Sequence, residues 1–517
     1  MSIELIVFKL YNRTITSSSK NSSISFIDLE AHHQKKKRGW QCMKNQKIDK
    51  QQQDISVDNI YKLDGRVPLS KAIPFGLQHV LAMFVANLVP VLIVASAACV
   101  GGVGPADGGG FTSTEIASLL QCAMFAAGIG TALQLYPIWK IGSKLPIVMG
   151  VSFTFLGSLL AVATNPDYGY EAMIGAIIVG GCFEGCLGLT AKYWRKYIGS
   201  IVSACVVLAI GFSLLSVGMN SFGGGDGATD FGAWYNLLVA TLTLFACLAF
   251  KYFAKGVWKN LDVLAGLVFG YLLSLIFTVM DIAPMIDFSA FHTTVKEIGF
   301  ISIPLPVFLK GTVPVFHIGP IVTIGIIFLV SAAETIGGTS AVCMDGLGRP
   351  VTEKEIQGSL AVDGFGSAFS GLFGACPITS FNQNIGLIAM TKVINRFTIF
   401  MGAFILIIAS LFPPIGAFFN SIPDAVLGGC TIMMYGSIVF TGLKMVADCG
   451  DTERNMMIVA ISFCVGVGIT EINPSFFDAL PAIIKDVFAS NSVAGVFVLS
   501  LLLDLFLPKK KSKTIST

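Results

Sequence analysis

Charge is scarce in this sequence. Of its 517 residues only 13% are Asp, Glu, Lys or Arg, whereas 54% are hydrophobic, and the mean hydropathy is +0.76. Soluble globular domains carry about 25% charged residues, so this composition argues against a soluble protein. The formal net charge of +3 is also too small to indicate a nucleic-acid partner.

Clusters of metal ligands and a cysteine framework are missing as well. Most of the 12 cysteines lie singly in apolar runs, and Cys182 and Cys186, in GGCFEGC, are one helical turn apart. Helix packing explains that spacing without a metal, since a free cysteine behaves as a small buried hydrophobe. We therefore predict no metal, no cofactor and no disulfide framework.

A secretory signal is not visible at the start of the chain. Residues 1–68 are polar, rich in Ser and Lys and without sustained periodicity, and IELIVF is too short for a signal-peptide core. We predict that 1–68 is a disordered cytoplasmic segment. Met43 is an alternative start, in which case residues 1–42 are foreign to the native protein; the intact mass of natively expressed protein decides between the two.

Long apolar runs take the place of what is missing. Runs of roughly 17–25 residues, each long enough to span a bilayer, recur between residues 73 and 507. We predict about fourteen membrane segments, some of them short or broken. In chain order they are 73–100, 116–138, 145–162, 173–189, 198–217, 234–253, 261–280, 318–342, 356–374, a broken tenth segment within 373–396, 397–411, 426–446, 456–470 and 493–507.

The basic residues predict the orientation of these segments. Lys140 and Lys144 follow the second segment, Lys251 follows the sixth and Lys444 the twelfth, whereas the intervening loops are poor in Lys and Arg. The positive-inside rule places the Lys-rich loops, both termini and the basic tail 508–517 in the cytoplasm. We predict a multi-pass protein of the plasma membrane, with the lipid bilayer as a partner.

The tenth segment interrupts the apolar pattern. It reads FGACPITSFNQNIGLIAMTKVINR, with Pro and β-branched residues followed by the carboxamides of Asn382, Gln383 and Asn384. Carboxamides at membrane depth are costly unless they face a partner or a wet cavity. Extended backbone before a short helix is how many secondary transporters build a binding site. VSFTF in the third segment has similar alternation, so we predict short strands in spans 3 and 10.

A family resemblance enters at the same stretch. Gln383-Asn384-Ile385-Gly386, followed by Thr391-Lys392, matches Q/E/P-N-x-G-x-x-x-x-T-R/K/G, the signature of the nucleobase–ascorbate transporters. The resemblance implies an all-α polytopic membrane protein with a seven-plus-seven inverted repeat and often a homodimer. It also implies a core domain of spans 1–4 and 8–11 and a gate domain of spans 5–7 and 12–14.

Three acids lie within apolar segments. Glu334 in span eight should be partnered, protonated or facing a cavity, because a carboxylate in lipid is costly. A helix-packing carboxyl is the alternative, but the resemblance makes Glu334 the main substrate-binding group, with Gly338 allowing close approach of a flat ligand. Asp363 lies twenty residues before Gln383, as in the family, and is predicted to support structure or proton coupling. For Glu184 we favour an interfacial carboxyl paired with a neighbouring helix over a gating proton site.

The polar neighbours of the signature complete the predicted site. Gln383 can both donate and accept hydrogen bonds, which suits the edge of a nucleobase, and it joins Asn382 as a substrate-binding prediction. The resemblance implies that Ser152 and Phe153 of span three hold the base by backbone and ring. His79, Asn384 and Thr391 are predicted to play supporting parts, and for His79 a satisfied core histidine is the alternative.

We therefore predict a cation-coupled uptake symporter for xanthine or uric acid, with H⁺ as the coupling ion and Na⁺ left open. By resemblance, carriers of these bases have Gln at the position of Gln383, whereas uracil carriers have Glu, and a uracil:H⁺ symporter is the nearest alternative. An anion exchanger or channel of the same fold is disfavoured by Glu334 and Asp363. A membrane enzyme would need a nucleophile–base pair or a metal cluster, which His79 alone does not supply.

Overall fold

The structure is a computed structural model that describes residues 55–103, 109–195, 198–225, 228–307, 311–477, 480–489 and 491–508. Contacts divide the chain into residues 1–56 and 57–517. Most of the N-terminal segment predicted to be disordered, and the basic tail from residue 509 on, lie outside the described residues.

Long apolar helices dominate the described part of the chain. The helices of eighteen or more residues are α1 (Leu69–Ala97), α2 (Ser113–Leu135), α4 (Gly169–Leu189), α8 (Trp234–Phe253), α9 (Asp262–Val279), α11 (Ile318–Ala341), α12 (Glu353–Leu372), α16 (Asp424–Asp448) and α17 (Glu453–Glu471). Thr112 and Thr352 each form a capping box with the glutamate three residues on, which fixes where α2 and α12 begin.

Shorter helices fill the remaining segments. They are α3 (Leu156–Ala163), α5 (Ala191–Trp194), α6 (Ser200–Ser213), α7 (Leu215–Phe222), α10 (Phe288–Ile298), α13 (Asn382–Thr391), α14 (Arg396–Ala409), α15 (Pro413–Asn420), α18 (Ala482–Phe488) and α19 (Ser492–Phe506). α14 and α15 are bent against each other by 82°. Tight 3₁₀ turns form at Val57–Tyr61, Phe153–Phe155, Gly256–Leu261 and Pro474–Phe477.

The number of membrane spans stays a prediction. In the described part of the chain nine helical segments are long and apolar enough to cross a bilayer, or ten if α14 and α15 count as one bent span. The predicted third, tenth and fourteenth spans contain the short helices α3, α13 and α19, and the ninth span, α12, carries many small and polar residues. Length and hydropathy alone therefore do not decide whether these segments cross.

Two short strands lie where the apolar pattern is interrupted. β1 (Met149–Val151) pairs antiparallel with β2 (Ile378–Ser380), with Gly150 opposite Thr379. The first strand differs from the sequence prediction, which gave strand character to VSFTF as a whole. β1 ends at Val151 because the Ser152 hydroxyl accepts a hydrogen bond from Thr154 N at 3.3 Å and starts the 3₁₀ turn Phe153–Phe155.

The long helices pack in two groups. The core group, α1–α4 with α11–α14, holds α12 against α4 and α14 against α1 and α2. The gate group, α6–α9 with α16–α19, holds α16 against α6 and α8, and α19 against α17 and α6. The two groups meet at α6 and α11, among other contacts. The division into a core domain and a gate domain that move against each other stays a prediction.

Glycines bring α4 and α12 into direct backbone contact. A Cβ added to Gly364 would lie 2.0 Å from Gly185 N, and one added to Gly181 would lie 2.6 Å from Ala368 N. Small residues at helix interfaces are how membrane proteins obtain such close packing, because lipid supplies little hydrophobic drive between helices. The core group therefore contains a tightly fitted helix pair at its centre.

The residues just before α1 are ordered, contrary to the predicted disorder up to residue 68. Asn395 Nδ2 donates to the carbonyls of Asn59, Lys62 and Gly65 at 2.9–3.2 Å, and Arg396 pairs with Asp64. The polar composition that indicated disorder is satisfied here by one asparagine side chain. Residues 57–68 thus belong to the folded unit.

The glycine contact yields a test of the helix packing. Gly364→Ala is expected to destabilise the protein by about 1–3 kcal/mol, because the added methyl group would overlap the α4 backbone. The measurement is the midpoint of thermal unfolding in detergent. Gly325→Ala in α11 is the matched control, since its Cβ would meet nothing within 4 Å. Equal midpoints for the two variants would show that α4 and α12 are not in contact.

Candidate functional site

A cavity of about 120 Å³ lies where the two strands end. It is lined by the turn after β1, by α11, by the segment from β2 into α13, and by α6 and α16 of the gate group. Four of the residues predicted to bind substrate line it: Ser152, Phe153, Glu334 and Gln383. Residues up to 231 positions apart in sequence therefore meet at one place, between the core and gate groups.

Glu334 projects from α11 into this cavity and is half-buried. Its carboxyl Oε2 accepts a hydrogen bond from Thr154 Oγ1 at 2.7 Å. This bond ties the carboxyl to the turn that follows β1. Because the group lines the cavity, it can accept a hydrogen bond from a bound N–H group.

Gln383 lies in the first turn of α13 and is exposed to the cavity. The backbone N–H groups of a helix's first turn lack partners within the helix and carry partial positive charge. A carboxamide at that place presents a donor and an acceptor beside a polar helix end. Asn382, the other carboxamide predicted to bind, occupies the first position of the helix, but its side chain lies outside the described residues.

Ser152 and Phe153 hold the other wall. Ser152 N donates to Pro377 O at 3.0 Å, so this backbone N–H ties the two broken segments together. The Phe153 ring meets Tyr435 of α16 edge to face, with ring centroids 5.5 Å apart and planes at 80°. Phe153 thus lines the cavity and at the same time contacts the gate group.

Asp363 lines neither this cavity nor the wider one described below; it is fully buried behind β2. Thr335 Oγ1 donates to its carboxyl, and so do Ser380 N at 3.2 Å and Ser380 Oγ at 3.1 Å. Every bond in this set is donated to the carboxyl, which is the environment of an ionised group. This position fits the predicted supporting role, and the role itself stays a prediction.

His79 and Asn384 support the signature helix from behind. Asn384 Nδ2 donates to His79 O at 3.0 Å and lies 3.4 Å from His79 Nδ1, and both side chains are buried away from the cavity. Thr391 is at the far end of α13, where its hydroxyl donates to Leu387 O at 2.8 Å. The supporting roles of the three residues stay predictions.

A second, wider cavity of about 700 Å³ continues from the first. The two share Glu334 and Gln383 among their lining residues, and Gly338 lines the wider one. The wider cavity extends to Lys251 and Lys444. These lysines belong to loops that the positive-inside rule places in the cytoplasm, so the site opens toward the predicted cytoplasmic side.

Sequence reasoning missed several side chains of the site. Thr154 binds Glu334, Ser380 binds Asp363, and Tyr435, Ser437 and Thr441 come from the gate group. Thr154 and Ser380 lie within VSFTF and PITSF, the two stretches with alternating apolar and polar residues. The sequence therefore indicated the right segments but not these two side chains. α16 carries no comparable interruption, and only the folded chain shows which of its faces meets the core group.

Metal binding finds no support in the geometry. Among the residues that the structure describes, no three His, Cys, Asp or Glu side chains lie close enough together to hold an ion. The described cysteines are all free thiols, and Cys182 and Cys186 are exposed on the surface of α4. The site's chemistry therefore rests on carboxyl, carboxamide, hydroxyl and aromatic groups.

Comparison with known proteins agrees on one family. Residues 70–475 match the family model Xan_ur_permease, described as Permease family. The chain is 33% identical over 465 residues to the xanthine permease XanQ of Escherichia coli strain K12, covering 87% of this chain and 94% of XanQ. It is 32% identical over 426 residues to the uric acid transporter UacT of the same strain, covering 81% of this chain and 83% of UacT.

The fold also resembles that of a distant transporter. The solved structure of SLC26A9 matches with a TM-score of 0.53 and 11% sequence identity, over 86% of this chain and 67% of that chain. At this level of identity the likeness concerns the fold alone.

The support behind β2 can be tested without a substrate. Ser380→Ala removes the hydroxyl bond to the buried Asp363 carboxyl and is expected to destabilise the protein by about 1–3 kcal/mol. Thermal unfolding in detergent measures the effect. Ser437→Ala is the control, because Ser437 lines the cavity but bonds only to Met433 O of its own helix, at 2.9 Å. A melting temperature lowered no more by Ser380→Ala than by the control would contradict the assignment.

Proposed function

The chain belongs to the nucleobase–ascorbate transporter family, that of the Xan_ur_permease model, and we propose that it takes up xanthine or uric acid together with a proton. Like the other members, it is a multi-pass membrane permease that transports nucleobases, and it is not an enzyme. Cargo identity and coupling ion are the parts that we propose.

The observation that carries the proposal is the convergence of Glu334 and Gln383 on one cavity. An oxidised purine presents ring N–H and C=O groups along one edge. Glu334 accepts from an N–H, and Gln383 can donate to a C=O and accept from a second N–H. Such a site discriminates strongly between an oxidised purine and a ligand that lacks the matching N–H and C=O groups, because that ligand leaves buried polar atoms unpaired.

An aromatic wall suits the flat faces of the base. Phe153 lines the cavity together with the polar groups, and its ring contacts that of Tyr435. Contact between two aromatic rings, either stacked or edge to face, contributes about 0.5–1.5 kcal/mol of stabilisation. Together, the ring and the two polar groups recognise a planar heterocycle in preference to a sugar or an amino acid.

The side chain at Gln383 favours xanthine or uric acid over uracil. A carboxamide pairs with both donors and acceptors, whereas a glutamate at this place, as in uracil carriers of the family, accepts only. XanQ and UacT, which carry the names of these two purines, are relatives of similar identity, so sequence identity does not choose between them. A uracil:H⁺ symporter remains the alternative within the family.

An anion exchanger or channel is the alternative from another class. The fold permits it, but the Glu334 carboxyl in the cavity would repel an anion. The ring of Phe153 and the carboxamide of Gln383 are also better suited to bind an uncharged heterocycle than an anion. We therefore place this reading second to nucleobase transport.

Access to the site fits a transporter that alternates between two openings. The wider cavity joins the substrate site to the predicted cytoplasmic side, where Lys251 pairs with Asp262 at 3.0 Å. The site lies between the core and gate groups, where rocking of one against the other would open it in turn to each side. We infer that the conformation described is the inward-facing one.

Uptake of radiolabelled xanthine in cells lacking their own purine carriers tests the proposal. Glu334→Gln is expected to lower uptake by about 10- to 100-fold, since it loses a hydrogen bond to a charged group. Uptake that rises at acidic external pH and does not need sodium would support H⁺ coupling. Glu353→Gln is the control, a surface carboxyl paired with Arg195 outside both cavities. Failure of well-expressed wild type to take up xanthine or uric acid would refute the proposed cargo.

Selectivity has its own variant. Gln383→Glu is expected to raise the inhibition of uptake by uracil relative to that by uric acid, because the new side chain only accepts hydrogen bonds. The measurement is competition by unlabelled uric acid, uracil, guanine and hypoxanthine. An unchanged order of competitors in a variant that still transports would show that Gln383 does not read the base.

A further inference from the structure

The buried acid without an assigned role is Glu184. It lies in α4 with none of its surface exposed, and neither carboxyl oxygen has a hydrogen-bond partner among the described residues. The sequence favoured an interfacial carboxyl paired with a neighbouring helix. The structure instead places it in the interior of the core group, among α4, α11 and α12.

A glycine contact sets Glu184 beside Asp363. Glu184 is followed by Gly185 and Asp363 by Gly364, and a Cβ on Gly364 would lie 2.0 Å from Gly185 N and 2.6 Å from the Glu184 carbonyl carbon. The two backbones thus touch immediately after each acid. On the other side, Thr335 of α11 bonds to the Asp363 carboxyl, so the neighbouring Glu334 brings a third acid into the same region.

The two carboxyl groups have opposite surroundings. Asp363 receives hydrogen bonds from Thr335 and twice from Ser380, whereas Glu184 receives none. An ionised carboxylate without donors in a membrane interior is far costlier than a neutral acid. The negative charge therefore belongs on Asp363 and the proton on Glu184 in this conformation.

A hydroxyl beside Glu184 is also unused. Ser331 of α11 lies close enough to interact with the Glu184 carboxyl, and Ser331 Oγ makes no hydrogen bond of good geometry within the described residues. A change of the Ser331 side-chain rotamer, with the packed backbones in place, would let it donate to Glu184. Without the Ser331 hydrogen bond the protonated form of Glu184 is favoured, and with it the carboxylate is favoured. A group that binds and releases a proton needs two such states.

The remaining surroundings leave few other charges to consider. α11 contributes Glu334 and α12 contributes Asp363, while α3, which also packs on α4, has no titratable side chain. α5, which follows α4, carries Lys192 and Tyr193, both exposed. On α4 itself Cys182 and Cys186 are exposed on the surface. The acids at the site are thus Glu184, Asp363 and Glu334, and only the last one lines the cavities.

We propose that Glu184, with Asp363 and Ser331, is the proton-coupling site of this transporter, separate from the carboxyl that binds the base. The inference rests on the proposed H⁺-coupled uptake. In the loaded state the proton is bound to a Glu184 oxygen and Asp363 carries the charge. On release the Glu184 O–H bond breaks and the proton passes to the Asp363 carboxylate, then to Glu334, which lines the cavities, and from Glu334 to cavity water. Ser331 then donates to the Glu184 carboxylate.

Purified protein in liposomes separates coupling from binding. With the outside one pH unit more acidic, one proton per base corresponds to about tenfold accumulation of xanthine by wild type. Glu184→Gln is expected to accumulate nothing above the external concentration and to admit no protons, as read by a pH dye in the lumen. Its exchange of external labelled for internal unlabelled xanthine at equal pH, and its xanthine affinity, should match wild type.

Two further variants make the result specific. Glu184→Asp keeps an ionisable group and is expected to regain pH-driven accumulation, whereas Glu353→Gln should behave as wild type throughout. Glu184→Gln that accumulates xanthine and admits protons like wild type overturns the inference, and so does loss of xanthine binding or exchange, which would assign Glu184 to packing. Wild type that exchanges xanthine but ignores the pH gradient would instead overturn the proposed H⁺ coupling.

Discussion

Extended backbone in the middle of an apolar protein has to be hydrogen-bonded by the protein itself, and the site depends on how this is done. Met149 N donates to Thr131 Oγ1 at 2.9 Å and Val151 N to Asn87 Oδ1 at 2.8 Å. On the other strand, Ile378 N donates to Ser367 Oγ at 3.1 Å and Ser380 N to the Asp363 carboxyl at 3.2 Å. Without such partners each group would cost several kcal/mol in lipid, so these polar side chains on α1, α2 and α12 make the broken segments tolerable.

The strand pair in turn determines where the side chains proposed to bind the substrate lie. Each strand ends at the cavity: β1 is followed by the 3₁₀ turn Phe153–Phe155 and β2 by α13, and residues of both line the cavity. Ser152 N bonded to Pro377 O fixes one broken segment against the other, so Phe153 and Gln383 are held at a set separation. The binding site between the two broken segments therefore depends on the hydrogen bonds that stabilise the two strands.

The sequence predicted the parts of this arrangement that a local pattern records. Glu334 stands out because a carboxyl is rare in an apolar run, and Gln383 because three carboxamides follow a proline-containing stretch. The extent of β1 could not be read from the same pattern, since alternation in VSFTF does not reveal that Ser152 caps a 3₁₀ turn. Tyr435 and the neighbourhood of Glu184 depend on which helix faces meet, and residues 57–68 are ordered by Asn395, more than three hundred positions away.

The two kinds of contact in the molecule differ in what they allow. Within the core group, α4 and α12 touch through glycines, and α1 and α14 do so at Gly76 and Gly402, where even a methyl group would overlap backbone. Between the groups, the contacts include a ring edge, Phe153 on Tyr435, and single hydrogen bonds such as Ser203 Oγ to Ala333 O at 3.2 Å. Backbone-to-backbone packing resists any shift, because interiors are close-packed, whereas an isolated side-chain contact can break and re-form. Under the proposed alternating access, the groups would move as bodies, and movement at the boundary between them would change the opening of the cavity.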